Sequence, residues 1–171
     1  SLWVLDETHT ISSGLGGHAC VHGLAPDFLV IGKAIAGGLP CAVYGFTEAV
    51  GQRMEAAKRA APDGHSGIGT TLSASLLAMA ALRANLVEVM TARAYETMLA
   101  VAADLEARLL NVLHERAVPW TVTRLGARME LQFCPAAPTT ARAARAAMDA
   151  ALESTLHLYL LNRGILITPF H

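Results

Sequence analysis

The first 70 residues place their apolar positions in short unbroken runs set between glycine-rich turns. Leu2-Trp3-Val4-Leu5 shows no polar alternation, which predicts a strand covered on both faces. Phe28-Leu29-Val30-Ile31 and Ala42-Val43-Tyr44-Gly45-Phe46 repeat that pattern. Thr47 is placed to cap a helix from Glu48 to about Ala60, closed by Pro62-Asp63-Gly64. Parallel strands feeding helices make an α/β layer. From Ser73 to about Arg116, Leu, Met and Ala return at three- and four-residue steps, as on one face of a helix. The run exceeds an ordinary globular helix, so a break near Asn85–Ala92 is expected. Beyond it, Trp120–Thr123 and Arg128–Phe133 predict two strands around the Leu125-Gly126 turn. An alanine-rich helix follows, capped by Thr139 or Thr140 and ended at Gly164, and then a last strand over Ile165–Thr168. The pattern thus divides into an α/β part (residues 1–72), a long helical segment (73–116) and an α+β part (117–171).

Composition narrows the class. Hydrophobic residues make up 53% of the 171 positions and charged residues only 16%, against about 45–50% and about 25% in average soluble domains. Such a chain buries a core, and intrinsic disorder is excluded. With 13 basic and 14 acidic residues there is no basic field to hold nucleic acid. The most apolar stretch, Leu72 to Leu82, is broken by Arg83 and falls short of the roughly 20 residues of a membrane span. Three scattered cysteines, Cys20, Cys41 and Cys134, make no disulfide framework, and no signal peptide is visible, so a cytoplasmic protein is expected. The chain starts inside one apolar strand and stops as another finishes, whereas termini are ordinarily polar and exposed. It reads as a fragment of a longer protein.

Lysine is scarce, and its two positions differ. Lys58 lies in the charged stretch Glu55-Ala56-Ala57-Lys58-Arg59, an ordinary solvated helix face. Lys33 directly follows the Phe28–Ile31 strand, at the carboxyl end where α/β sheets build ligand sites. A partly desolvated amine there is a nucleophile for carbonyl groups, although a strand-end lysine also snorkels to water without any role. Asp6-Glu7 ends the preceding strand in the same way, so neighbouring strands deliver an acid and an amine to one edge. Pyridoxal phosphate needs that pair: a carboxylate to keep its ring nitrogen protonated and a lysine to hold it as an imine. A P-loop is excluded, because Asp27 stands where its first glycine belongs and Ala34 follows the lysine. Gly14, Gly16 and Gly17 do not complete a dinucleotide turn. His18 and His22 flank Cys20 at a spacing zinc could use, but no second clustered pair accompanies them, and no metal ligand is assigned.

The motifs Leu5-Asp6-Glu7-Thr8-His9-Thr10, Pro26-Asp27-Phe28 and Gly32-Lys33-Ala34-Ile35-Ala36-Gly37-Gly38-Leu39-Pro40 resemble the class III aminotransferases of the fold-type I pyridoxal-phosphate enzymes. Within these they look most like the glutamate-1-semialdehyde 2,1-aminomutase branch and its β-amino-acid transaminase relatives. The motifs fall in order across residues 1–82, while the second half fits the family's small domain by layout. The resemblance implies an α/β fold: residues 1–72 as the latter part of the large parallel-sheet domain, 73–116 as the connecting segment, and 117–171 as most of the small domain. It implies pyridoxal 5'-phosphate as cofactor, with Asp6 on the ring nitrogen, Lys33 in the Schiff base, and Thr71 reaching the cofactor phosphate of a neighbouring subunit. His9 is placed to touch the cofactor or to sit just behind it, and Arg128 to meet a substrate carboxylate. The implied activity is amino-group transfer on an amino-acid or amino-ketone substrate in a homodimer with a shared site. Intramolecular transfer by an aminomutase, or a non-catalytic scaffold, are the alternatives.

Several positions depart from the family pattern. Family members often carry Val-Met or Val-x where this chain has Thr8 and His9, Asn-Pro at Ser75 and Leu76, and Gly at Thr70. The phosphate-binding turn and the aromatic that stacks on the ring lie upstream of position 1 in the family, and the end of the small domain beyond His171. An isolated chain of these 171 residues is therefore expected to be inactive.

Overall fold

The computed structural model describes residues 1–65, 69, 71 and 73–168. These pack as two compact units, one drawn from the described residues of 1–103 with 125–128 and the other from 104–124 with 129–168.

The first unit is built on a three-stranded sheet ordered β1-β2-β3: Val4–Asp6, Phe28–Ile31 and Val43–Phe46. β1 and β2 are parallel, with Val4 opposite Phe28 and Asp6 opposite Val30. β3 runs antiparallel to β2, with Phe28 opposite Phe46 and Ile31 opposite Val43. The sheet is therefore mixed where parallel strands were expected. The cause is the short β2–β3 connection: a 3-10 turn over Lys33–Ala36 and two left-handed glycines, Gly37 (φ 62°) and Gly38 (φ 103°), reverse the chain. A parallel return needs a crossover of a dozen or more residues, usually helical.

Helix α1 (Gly17–Val21) lies between β1 and β2, preceded by a 3-10 turn over Thr10–Ser13. The glycine-rich spacing of that segment hid both from the sequence pattern. Helix α2 (Glu48–Arg59) follows β3 as expected. Thr47 occupies its N-cap position, but its side chain makes no capping bond. The long helical run is broken where a break was expected: α3 (Leu76–Ala84) passes into a π turn over Asn85–Val89, and α4 (Ala92–Glu115) begins after it. Ile35, Ala36, Val50 and Tyr95 form the buried apolar positions of this unit together with Ala102. β1 is not covered on both faces within this chain: Trp3 and Val4 are 45% and 57% exposed.

The second unit carries a hairpin, β4 (Thr121–Leu125) with β5 (Arg128–Gln132), whose turn residues belong to the first unit. Its helical region is two helices where one was expected. α5 (Ala141–Ala146) is capped by Thr140, whose Oγ1 accepts from the Ala143 amide at 3.2 Å. α6 (Ala150–Leu161) has its own cap, Asp149 Oδ1 accepting from the Leu152 amide at 3.0 Å. An aspartate inside an alanine-rich run was the missed start signal. Gly164 (φ 78°) ends the helical region as expected. Ile165–Thr168 is not a strand: no strand edge among the described residues pairs with it, and the Ile167 carbonyl instead meets His157 Nδ1 at 2.7 Å. No helix among the described residues is long and apolar enough to cross a membrane.

Candidate functional site

Because β1 and β2 are parallel and adjacent, their carboxyl ends open on one edge of the sheet. Asp6 is the last residue of β1, and Lys33 follows β2 by one residue, Gly32. Thr8 ties the two ends together. Its Oγ1 accepts from the Gly32 amide at 3.2 Å, and its own amide donates to Asp6 Oδ1 at 2.8 Å. Hydrogen bonds from the Thr8 side chain and amide hold the Asp6 carboxyl below its ordinary value; burial opposes this, and the charges of His9 and Lys33 add to it. Asp6 is thus an exposed carboxylate kept ionised at neutral pH.

Lys33 is exposed and sits in the left-handed region (φ 51°), unusual for a residue bearing a side chain. What holds it there is Asn85, in the π turn. The buried Asn85 Nδ2 donates to the Ala34 carbonyl at 3.0 Å and to the Ile35 carbonyl at 2.9 Å, clamping the turn that Lys33 opens. Asn85 opens the π turn directly after α3 and faces a turn fifty positions away in the chain.

His9 stands between Lys33 and Arg128. Its Nε2 lies 2.5 Å from Lys33 Nζ, and its Nδ1 contacts Arg128 Nη1. Three anchors hold the loop that carries it. Glu7 is completely buried, and its carboxylate accepts from Thr10 Oγ1, from the Ala19 amide at 2.5 Å and from the His18 amide at 3.1 Å. Burial alone would push the Glu7 carboxyl up, but these bonds and the charge of His18 outweigh it and hold it low. Tyr95, from α4, donates its hydroxyl to the Ile11 carbonyl at 3.0 Å; burial and the Glu7 charge push this phenol up. The third anchor is the hairpin turn. Gly126 (φ 63°) lies so near Ser12 and Ser13 that a Cβ there would be 2.4 Å from Ser13 Cα, and the Ala127 amide donates to the Ser12 carbonyl at 3.2 Å. That close approach is what carries Arg128 to His9.

Of the residues selected from sequence, Asp6, His9, Lys33 and Arg128 come together. Thr71 lies in an exposed turn and shares no described contact with them; its neighbours Thr70 and Leu72 lie outside the described residues. His18 and His22 stack on each other with ring centroids 4.1 Å apart, and no cluster of metal-ligating side chains occurs among the described residues. Thr8, Glu7 and Asn85 were missed as contributors. Only Thr8 carried a hint, in departing from the hydrophobic residue usual there.

The chain matches the aminotransferase class-III family over residues 1–171. It is 33% identical over 170 residues to glutamate-1-semialdehyde 2,1-aminomutase 2 of Brevibacillus brevis, covering 99% of this chain and 38% of that protein. Among solved structures it resembles a glutamate-1-semialdehyde aminomutase from Pseudomonas aeruginosa PAO1 at 48% identity and a TM-score of 0.92, over 99% of this chain and 38% of the other. A lysine-to-alanine variant of that enzyme is known in complex with PMP. A β-phenylalanine aminotransferase from Variovorax paradoxus aligns at 28% identity and a TM-score of 0.85, again over 99% and 38%. The chain therefore spans about 38% of the length of the relatives it matches.

Proposed function

This chain belongs to the aminotransferase class-III family, and on that premise we propose that the full-length protein transfers amino groups with pyridoxal 5'-phosphate, Lys33 holding the cofactor. The observation that carries this is the pairing of an ionised carboxylate and a primary amine at adjacent parallel strand ends, joined through Thr8. The residues present fit the cofactor: Asp6 offers a negative charge for a cationic ring nitrogen, and Lys33 an exposed amine for an aldehyde. When bound, pyridoxal phosphate supplies an electron sink for the bonds at the amino-bearing carbon of the substrate. Asp6 keeps the ring nitrogen protonated. Lys33 would hold the cofactor through Nζ and would move a proton at the substrate carbon. His9 would touch the cofactor or sit just behind it, and Arg128 would take a substrate carboxylate, for which a guanidinium fork is suited.

Thr71 would reach the cofactor phosphate of the neighbouring subunit, as in a homodimer with a shared site, and the few scattered cysteines fit a cytoplasmic protein. Residues 1–72 are assigned to the large domain, 73–116 to the connecting segment and 117–171 to the small domain. The division between the two compact units falls inside that connecting segment.

Inter-substrate transamination is the first reading. Intramolecular transfer, as in an aminomutase, is the second, favoured by 48% identity to the Pseudomonas aeruginosa enzyme against 28% to the aminotransferase. Borohydride reduction of the full-length protein with pyridoxal phosphate, followed by peptide mapping, tests the cofactor assignment. A pyridoxyl group on Lys33 is expected; label only elsewhere overturns it. Turnover of a single amino substrate without any oxo-acid acceptor then selects the aminomutase reading, and strict dependence on an acceptor selects transamination.

A further inference from the structure

Lys33 opens the 3-10 turn that follows β2, and its backbone is left-handed (φ 51°). Gly32, the residue best able to adopt that conformation, is instead extended (φ −134°). A side-chain-bearing residue persists in such a region only where its surroundings over-determine it. On the strand side the turn is tied by the Gly32 amide, which donates to Thr8 Oγ1 at 3.2 Å. Its internal bonds are the Ile35 amide to the Gly32 carbonyl at 3.4 Å and the Gly37 amide to the Ala34 carbonyl at 3.1 Å. A further tie comes from outside the turn. The buried Asn85 gives both protons of its amide to this segment, at 3.0 Å to the Ala34 carbonyl and 2.9 Å to the Ile35 carbonyl. Backbone carbonyl oxygens only accept, so the donor in each bond is fixed. Asn85 is itself held by its place in the π turn, where its carbonyl accepts from the Met90 amide at 2.8 Å. The Ile35 and Ala36 side chains are buried beside it, so the turn cannot swing outward without exposing apolar surface.

Resting on the assignment of Lys33 as the cofactor-holding amine, we propose that Asn85 is a positioning residue for that amine, holding the Lys33–Ala36 turn in the conformer that aims the lysine along the strand edge it shares with Asp6. Asn85 acts through the Ala34 and Ile35 backbone and touches no reacting group. Each bond in the device runs from an amide N–H to a backbone carbonyl, so it works whatever charge Lys33 or His9 carries. Without the tie, Lys33 is free to relax to negative φ, which turns its Cα–Cβ bond and displaces Nζ. A displacement of about 1 Å at a reacting group costs up to about a hundredfold in rate. The chemistry required at residue 85 is narrow. Aspartate has the same shape but sets acceptors against the two carbonyls, and serine offers a single donor on a shorter arm.

The experiment uses the full-length protein, first freed of cofactor. Pyridoxal phosphate is added with a mild hydride reductant, and peptide mapping follows the label on Lys33 and on Lys58, the internal standard. Asn85→Asp is expected to slow labelling of Lys33 by about tenfold or more, with Lys58 unchanged. Asn85→Ser, which keeps one donor and adds no charge, should show a smaller loss in the same direction, and it decides the matter where the aspartate variant does not fold. The proteins are then loaded with cofactor. Circular dichroism in the cofactor absorption band should weaken at equal cofactor content, because a less fixed lysine orients the ring less. Turnover should fall about tenfold in kcat, with KM for the amino substrate within twofold of wild type. The unfolding midpoint is read on each variant. A purely structural role lowers that midpoint but leaves the Lys33-to-Lys58 labelling ratio and the dichroism at wild-type values below the transition. That result in a folded variant overturns the proposal, as does a loss confined to KM. Absence of any label on Lys33 in the wild type overturns the cofactor assignment itself, so the two failures are distinguishable.

Discussion

Replacing Glu7 by glutamine is a nearly isosteric change at a fully buried position, and its cost can be worked from the contacts. One carboxylate oxygen accepts from Thr10 Oγ1 and the His18 amide, the other from the Ala19 amide. A glutamine oxygen can replace only one of the two, and its NH2 group then faces a backbone N–H. At least one buried donor is left unsatisfied, which costs about 1–3 kcal/mol. The surviving bonds change from charge-assisted to neutral, losing about 1 kcal/mol each. Relief of carboxylate desolvation offsets part of this, leaving about 2–3 kcal/mol. The assay is amide hydrogen exchange of the full-length protein, read on the 17–22 segment in the regime where exchange reports the opening equilibrium. With 1.4 kcal/mol per factor of ten, Glu7→Gln should accelerate exchange at His18 and Ala19 by roughly thirtyfold or more at pH 7. The pH dependence has a definite sign. The Glu7 carboxyl is held below its ordinary value of 4.5 in the fold, so its contribution is complete above that value and is lost as pH falls through the lower folded value. Glutamine does not titrate, so the ratio between variant and wild type should shrink on acidification. A ratio near one at pH 7, or one that stays constant down to pH 3, would refute this account of the loop.

Three further outcomes are expected. Gly126→Ala places a methyl 2.4 Å from the Ser13 Cα and 2.7 Å from the Ser12 carbonyl oxygen; backbone cannot yield there, and a loss of about 1–3 kcal/mol should appear as a lower urea midpoint. Wild-type stability in that variant would mean the hairpin turn does not approach the loop. Asn85→Leu removes both bonds to the Ala34 and Ile35 carbonyls, one of them buried, at about 1–3 kcal/mol; pyridoxylation of Lys33 should slow relative to Lys58, and an unchanged ratio would count against the clamp. Asp6→Asn in the full-length protein should keep the cofactor and lose most of the turnover, since a neutral amide no longer favours a protonated ring nitrogen; normal turnover would remove Asp6 from its role.

Much of the site was legible in the chain because its strands are short and its chemistry sits at their ends. An unbroken apolar run marks a buried strand, and the polar residue that stops it marks the edge. Asp6 and Lys33 could thus be placed on one edge before any fold was known, and β2 lies over Phe28–Ile31 as the pattern predicted. The break in the long helical segment was legible too, since the run is too long for one ordinary globular helix, but not its form as a π turn. The strand expected over Ile165–Thr168 was misplaced because apolar β-branched residues fit a strand only where an edge is available to pair them.

By itself the sequence determined much of what is local: the strands of the first unit, helix α2, a cap at Thr139 or Thr140, the helix end at Gly164, and the presence of an acid and an amine at successive strand ends. Tertiary structure alone decided the contacts between residues far apart in the chain. Asn85 reaches carbonyls 50 and 51 positions away, and Arg128 reaches His9 across 119. Neither follows from a periodicity, because each depends on two backbones closing to hydrogen-bond distance. Only an asparagine buried against a turn and a glycine able to approach bare backbone make those closures possible, and their purpose is invisible until the chain is folded.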